Sequence, residues 1–133
     1  MRFTLFVAAA LAAAPALAQK PAKAPAPPHP GAEVYQNVCQ ACHMANAGGG
    51  EGAGRIPALA KNGALEAAGY PIMVVTGGKG AMPWFRGNLT DQQIADVINY
   101  VRSNFGNKYK DKVTAEMIAE QGLPAPRQGN NQP

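Results

Sequence analysis

Cysteine and histidine are scarce in this chain of 133 residues, which contains two of each. Two cysteines allow at most one intrachain disulfide, so the chain is not a disulfide-rich scaffold. Charged residues are also few, at 15% of the chain, and the net charge is only +4. The lysines and arginines are dispersed rather than clustered, which disfavours a nucleic-acid-binding surface and fits docking to an acidic protein partner.

The chain also lacks an apolar run long enough to span a bilayer. Its longest run, residues 4–14, ends before Pro15 and falls short of the about 20 residues that a spanning helix needs. Arg2 supplies a basic start, and residues 16–18, Ala-Leu-Ala, fit a cleavage site for export. We expect residues 1–18 to be a cleaved signal peptide that directs the protein to the periplasm. An uncleaved membrane anchor is the alternative.

Three regions follow the signal peptide. Residues 19–30 are rich in proline and alanine and predict a linker, in which His29 is expected to be solvated. Residues 31–107 carry the apolar periodicity and predict the folded domain. Residues 108–133 predict a basic to polar C-terminal tail with a short helix at 114–121, capped by Thr114. No stable membrane insertion is expected after cleavage.

Helical patterns dominate the predicted domain. The clearest starts with a capping box, because Thr90 is followed three residues later by Gln93, and apolar residues then recur at helical spacing. Residues 45–54 and the segment 76–86, which starts glycine-rich, predict loops, and no two runs alternate well enough to form a sheet. The sequence therefore predicts an all-α fold with helices at 32–42, 59–68 and 91–104. Residues 70–75 are predicted as a turn of helix because Pro71 suits a first turn, with a short extended segment as the alternative.

The sequence Cys39-Gln40-Ala41-Cys42-His43 is a Cys-x-x-Cys-His motif, which is typical of covalent haem attachment. Two cysteines three positions apart at a helix end project to the same side, where both can form thioethers with one porphyrin edge. The adjacent His43 can then bind the iron. A zinc site is one alternative, but it would need a fourth ligand, and a thioredoxin-like pair would need a βαβ pattern. Haem would also supplement the core of a domain too small to bury much apolar surface.

A second iron ligand is expected among the methionines. Met44 is adjacent to His43 and cannot reach the opposite face of a haem, Met73 fits a core position, and Met117 lies in the predicted tail. Met82 follows a glycine-rich stretch that allows close approach and precedes Pro83, which stiffens the loop. We predict Met82 as the ligand, with a core methionine as the alternative.

Residues 31–107 resemble the class I mono-haem bacterial cytochromes c. The likeness rests on Gly31, Tyr35 and the motif, on residues 56–59 (Ile-Pro-Ala-Leu), on residues 81–83 (Ala-Met-Pro), and on residues 89–101. The resemblance implies three or four helices wrapped around one covalently bound haem, with the first and last helices crossing near Gly31 and Tyr100. It also implies that the Pro57 carbonyl orients the His43 ring.

The predicted function is single-electron transfer by a periplasmic, non-enzymatic carrier. His and Met ligation leaves the iron no open position for substrate. Residues 102–113 are similar to cytochrome c subunits of periplasmic dehydrogenases, so a dehydrogenase donor and a cytochrome or oxidase acceptor are the expected partners. The alternative is a haem enzyme or gas sensor with an open or displaceable sixth ligand. Four residues are candidates for contacts with the haem propionates: Arg55, Tyr70, Trp84 and Arg86.

Overall fold

The first helix, α1, spans residues 30–43. We describe the protein from a computed structural model, which covers residues 28–51 and 54–125; the predicted signal peptide and most of the predicted linker lie outside the described residues. Helix α1 begins as an α-helix at Pro30–Val34, continues as a π-helix at Tyr35–Cys39 and ends as an α-helix at Gln40–His43. The prediction of a helix here was correct, but its π-helical middle was not foreseen.

His29 caps helix α1, which corrects its prediction as a solvated linker residue. Its Nδ1 accepts a hydrogen bond from the Gly31 backbone N–H at 3.1 Å. The ring is half-buried and lies 5.5 Å from the ring of Tyr100, measured between centroids. The ordered domain therefore begins before residue 31.

The segment between α1 and the next helix is mostly irregular. Strands β1 (Gly50–Glu51) and β2 (Arg55–Ile56) pair antiparallel, with Gly50 opposite Ile56. This two-residue ribbon was not predicted. The helix predicted at 59–68 was wrong, because only one 3-10 turn forms there, at Gly63–Leu65, capped by the Asn62 side chain. The apolar residues of this segment, Leu59, Ala60 and Leu65, instead pack into one cluster of the core.

The remaining helices are α2 at Gly69–Gly77, α3 at Asp91–Ser103 and α4 at Ala115–Gln121. The capping box predicted for α3 is present, since the Thr90 and Gln93 side chains each accept a hydrogen bond from the other residue's backbone N–H. With four helices and one short ribbon in the described residues, the all-α prediction is confirmed.

Helices α1 and α3 cross in close contact at Gly31. A Cβ at this position would overlap the backbone carbonyl of Asp96, one helical turn before Tyr100. Only glycine allows the two backbones to approach so closely. The crossing lies close to the site that the family resemblance implied.

Two clusters of buried side chains form the core, and α3 contributes to both. The motif-side cluster consists of Tyr35, Ala47, Leu65, Val97 and Val101. The C-terminal cluster consists of Ile72, Ile94, Ala95, Ile98, Val113 and Ile118. Because Val113 is 3% exposed and Ile118 is fully buried, the prediction of a C-terminal tail outside the domain was wrong for these residues. Met117, which was assigned to the predicted tail, is likewise half-buried against this cluster.

A buried arginine joins the end of α3 to the segments on either side. Arg102 is 1% exposed, and its guanidinium donates hydrogen bonds to the carbonyl oxygens of Leu65 and Glu66 at 2.9 Å each. It also donates to the carbonyl and carboxylate of Asp111. Asn107 adds a hydrogen bond from its side-chain nitrogen to the Leu59 carbonyl at 2.8 Å. These bonds fix residues 59–66, a segment that contributes Leu59, Asn62 and Leu65 to the lining of a cavity.

Candidate haem site

An apolar cavity opens between α1, residues 57–65, α2 and α3. It encloses about 120 Å³ and opens to solvent. Its shape suits a group that is largely covered but keeps one edge near solvent. The lining residues are Cys39, His43, Pro57, Leu59, Asn62, Leu65, Tyr70, Pro71, Val74, Val75, Met82, Val97, Ile98 and Val101.

His43 ends helix α1 and is 7% exposed. Its Nδ1 lies 3.2 Å from the carbonyl oxygen of Pro57. A carbonyl oxygen only accepts hydrogen bonds, so Nδ1 carries the proton in this contact and Nε2 keeps its lone pair. Burial lowers the pKa of His43, which favours the neutral ring that a metal ion requires. The contact between His43 and Pro57 that the resemblance implied is therefore present.

The two cysteines of the motif differ in exposure. Cys39 is half-buried in the π-helical part of α1 and lines the cavity, whereas Cys42 is exposed and is not among the lining residues. Burial, with a smaller effect from Cys42, raises the pKa of the Cys39 thiol to about 11. The described residues contain no group of three or more His, Cys, Asp or Glu side chains that could hold a metal ion, which disfavours the zinc alternative.

Met82 lies on the methionine loop, residues 78–85, which connects α2 towards α3. The loop leaves α2 at Gly78, whose φ of 75° is in the left-handed region. Lys79 and Met82 then exchange backbone hydrogen bonds of 3.0 and 3.1 Å, and the Phe85 N–H returns to the Val75 carbonyl at 2.9 Å. Met82 is half-buried and lines the same cavity as His43. This tight turn fixes where the thioether can lie.

Two other methionines do not lie where they could bind a metal in the cavity. Met44 and Met73 are each 43% exposed, and neither lines the cavity. The interpretation of Met73 as a core residue was therefore wrong, although its exclusion as a ligand is consistent with its position. Met82 is the one methionine among the cavity-lining residues.

Of the four propionate candidates, Tyr70 alone lines the cavity. Its hydroxyl lies 3.3 Å from Lys79 Nζ, which also sits 5.1 Å from the centre of the Tyr70 ring. Arg86 instead contacts the carboxylate of Asp91 at 3.3 Å. Trp84 is half-buried outside the lining set, and Arg55 is exposed on β2.

Sequence reasoning missed Asn62, which is a polar lining residue. Its backbone N–H donates to the Asn107 side chain at 2.9 Å, and its carbonyl accepts a hydrogen bond from the Tyr109 hydroxyl at 3.1 Å. These partners lie more than 40 residues away in the sequence, so no local pattern could have identified them.

The donors at the cavity suit a flat, apolar macrocycle with a central iron. One neutral imidazole and one thioether line the same apolar cavity as a cysteine thiol, and the walls are mainly aliphatic. Imidazole and thioether are ligands that iron takes in haem proteins. The residues present therefore fit a haem.

Comparison with known proteins agrees with this chemistry. Residues 26–101 match the family model described as cytochrome c oxidase, cbb3-type, subunit III. The chain is 46% identical over 76 residues to a cytochrome c6 of Parathermosynechococcus lividus, covering 83% of that protein and 53% of this chain.

Subunits of two dehydrogenases are also similar. The chain is 37% identical over 107 residues to the gluconate 2-dehydrogenase cytochrome c subunit of Pantoea cypripedii, and 34% identical over 118 residues to the alcohol dehydrogenase (quinone) cytochrome c subunit of Gluconacetobacter polyoxogenes. These matches cover 67% and 77% of this chain but only 23% and 25% of the two subunits. The chain thus spans about a quarter of their length.

The family match covers more than half of the chain, and the cytochrome c6 match covers most of a single small cytochrome. Both agree with an all-α domain whose motif and cavity fit haem. The chain therefore belongs to the class I c-type cytochromes, electron-transfer proteins that carry covalently bound haem c with iron.

Proposed function

We propose that this chain is a periplasmic single-haem electron carrier with His43 and Met82 as its axial ligands. Cys39 and Cys42 would hold the haem through thioethers. The observation that carries the proposal is that His43 and Met82, which lie 39 positions apart in the sequence, line one apolar cavity. When bound, the haem would supply a one-electron Fe(II)/Fe(III) couple, with His43 and Met82 as the residues that would hold the iron.

The chain's own residues prepare this site in two ways. Pro57 fixes the His43 tautomer through the 3.2 Å contact, so the ring needs no reorientation when it binds metal. Val97, Val101 and the other aliphatic lining residues keep water away from the metal position. A low local dielectric disfavours the more highly charged oxidised state, and together with a thioether ligand it raises the reduction potential.

Tyr70 and Lys79 are the proposed contacts at the mouth of the cavity. Tyr70 is 37% exposed and lines the cavity, and its hydroxyl is near the Lys79 ammonium group. A haem propionate at the mouth would find one hydroxyl and one cation there. Arg86 is a weaker candidate than the sequence suggested, since it already contacts Asp91.

We propose a periplasmic dehydrogenase as the electron donor and a respiratory protein as the acceptor. Two observations support this: relatives of the chain are cytochrome c subunits of dehydrogenases, and residues 1–18 have the pattern of a signal peptide. Within residues 28–51 and 54–125, no helix is long and apolar enough to cross a membrane. The mild excess of basic residues would favour an acidic docking surface on the partner.

The test replaces Met82 by alanine in the holoprotein. We expect Met82→Ala to keep the covalently bound haem, to lose the long-wavelength charge-transfer band of methionine-ligated ferric haem, and to lower the reduction potential by on the order of 0.1 V. Visible absorption spectroscopy and a redox titration measure these effects.

Met73→Ala is the matched control, because Met73 is exposed and does not line the cavity. It should leave the band and the potential unchanged. If Met73→Ala lost the band and Met82→Ala kept it, Met73 would be the iron ligand and the proposal would be wrong. A five-coordinate, high-spin ferric haem in the unmodified protein at neutral pH would instead favour a haem enzyme or gas sensor.

A further inference from the structure

The methionine loop is held at both ends by residues that come from the C-terminal part of the chain. Its first stem is the end of α2, at Thr76 and Gly77, and its second stem is Phe85 with Arg86. After α4, residues 122–125 cross these two stems. We call residues 122–125 the C-terminal strap.

The strap is bonded to the first stem through a buried hydroxyl. Thr76 is fully buried, and its Oγ1 accepts a hydrogen bond from the Leu123 N–H at 2.9 Å. The same hydroxyl donates to the Ile72 carbonyl at 2.7 Å, one turn earlier in α2. The Thr76 hydroxyl therefore ties the strap directly to the helix that precedes the loop.

The Leu123 side chain covers the last residue of that helix. A Cβ at Gly77 would overlap the Leu123 side chain, so the absence of a side chain at Gly77 makes room for the strap. At the second stem, Arg86 contacts the Leu123 carbonyl at 3.4 Å and the Asp91 carboxylate at 3.3 Å. One residue of the strap thus contacts both stems.

We propose that the C-terminal strap positions Met82 by holding the two stems of the methionine loop together. The proposal rests on the proposed function, in which Met82 is an axial ligand. The strap lies beyond residues 26–101, the part that matches the family model, so it is an addition to the segment that defines the family. Opening of the loop would move Met82 away from the metal position, and the strap opposes that opening.

The test compares two truncated holoproteins. A stop after Gly122 removes Leu123 and its contacts with Thr76, Gly77 and Arg86, but keeps the Gly122 N–H that caps α4 by donating to the Ile118 carbonyl at 2.9 Å. We expect imidazole, added as a competing iron ligand, to bind this variant at least about two- to tenfold more tightly, which is the range for the loss of a single hydrogen bond such as that of the Leu123 N–H. Amide hydrogen exchange at Met82 and Phe85 should accelerate by a similar factor, since both N–H groups are bonded within the loop and its stem.

A stop after Ala125 is the matched control, because it keeps every strap residue. It should bind imidazole and exchange amides as the full chain does. Gly77→Ala gives an independent variant: its Cβ displaces the end of the flexible Leu123 side chain while alanine remains favourable in α2. It should move both readouts in the same direction as the stop after Gly122.

Unchanged imidazole affinity and unchanged exchange in both the stop after Gly122 and Gly77→Ala would overturn the proposal. Changes of equal size in the two truncations would also overturn it, because they would assign the effect to residues 126–133. If the full-length protein lacks the methionine charge-transfer band, the ligand role of Met82 fails. Hydrogen exchange at Met82 and Phe85 then still decides, without reference to the iron, whether the strap holds the loop.

Discussion

The two core clusters of this cytochrome are built from the same helix but have different compositions. The motif-side cluster is bordered by aromatic rings, and those of Tyr35, Tyr100 and Phe105 lie 4.9 to 5.6 Å apart. The C-terminal cluster is aliphatic and receives Val113 and Ile118 from residues beyond α3. The first cluster supports the haem motif, whereas the second supports α2 and, through the strap, the methionine loop.

The two clusters meet at the cavity. Val97 and Val101 of the motif-side cluster and Ile98 of the C-terminal cluster all line it. The site therefore depends on both clusters, but through different ligands. His43 is fixed by its place at a helix end and by the Pro57 carbonyl, whereas Met82 lies on a loop whose stems contact the C-terminal strap. We infer that changes in the C-terminal cluster affect the free energy of unfolding and the position of Met82. Changes near Tyr35 should instead affect the position of His43.

The largest expected effect comes from removing the centre of the C-terminal cluster. Ile118 is fully buried between α4 and the helices beneath it, so Ile118→Ala leaves a cavity. We expect the free energy of unfolding to fall by about 2–5 kcal/mol, the usual range for such a truncation. Chemical denaturation of the holoprotein measures it.

Glu120→Ala is the matched control, because Glu120 is exposed on the same helix and tests helix propensity alone. It should change the free energy of unfolding by less than about 0.5 kcal/mol. If Ile118→Ala has an equally small effect, the C-terminal cluster does not contribute to the fold, and the difference between the two clusters disappears.

Sequence reasoning identified the motif-side half of the molecule much better than the C-terminal half. The Cys-x-x-Cys-His motif and the capping box at Thr90 are local patterns whose chemistry follows from short spacings. They predicted helix α3 and the positions of Cys39 and His43 in or at the end of a helix, whereas helices wrapped around a haem were implied by the family resemblance.

The C-terminal half offered fewer local patterns. The Thr114 cap predicted helix α4 correctly, but seven residues are too few to show a reliable apolar period, and Val113 stands alone among polar neighbours, so the burial of Val113 and Ile118 was not predicted. The burial of Val113 depends on distant polar partners, such as the Asn99 side chain, whose oxygen accepts a hydrogen bond from the Val113 N–H at 2.9 Å. Such pairings become visible only when the chain is folded, and for the same reason the strap over Gly77 could not be predicted.

An intermediate effect is expected from one hydroxyl in the motif-side cluster. The Tyr35 hydroxyl donates at 2.8 Å to the carbonyl of Met44, which directly follows the motif and has a φ of 67°. Burial raises the pKa of Tyr35 to about 12, so the hydroxyl remains a donor at ordinary pH. We expect Tyr35→Phe to lower the free energy of unfolding by about 1 kcal/mol.

Tyr100→Phe is the control for Tyr35→Phe, because it removes a hydroxyl from a neighbouring, less buried ring 5.6 Å away. Thermal unfolding of both holoproteins measures the difference. Equal losses in the two variants would show that the Met44 contact has no special role. A larger loss of stability in Tyr35→Phe than in Tyr100→Phe, together with unchanged imidazole binding, would show that the Tyr35 hydroxyl supports the segment around His43 and not the Met82 loop.

The smallest expected effect concerns Asp111, whose carboxylate accepts hydrogen bonds of 2.7 and 2.8 Å from the buried Arg102. These hydrogen bonds lower the pKa of Asp111 below its usual value near 4. A lowered pKa in the folded state means that the stabilisation is present above the unfolded-state pKa and is lost as the pH falls through the folded-state pKa. The side chain is 66% exposed, so solvent screens most of the interaction.

We therefore expect Asp111→Asn to be slightly less stable than the unmodified protein at about pH 7, with the difference shrinking as the pH falls towards about 3. Denaturation midpoints measured across this range test the prediction, with Glu66→Gln as a control that removes an exposed carboxylate nearby. A difference that does not change with pH would mean that the Asp111 carbonyl, which also accepts a hydrogen bond from Arg102 at 2.6 Å, maintains the contact without the carboxylate. The C-terminal segment would then be fixed to α3 by its backbone, and its attachment, unlike that of the exposed carboxylate, would be independent of pH.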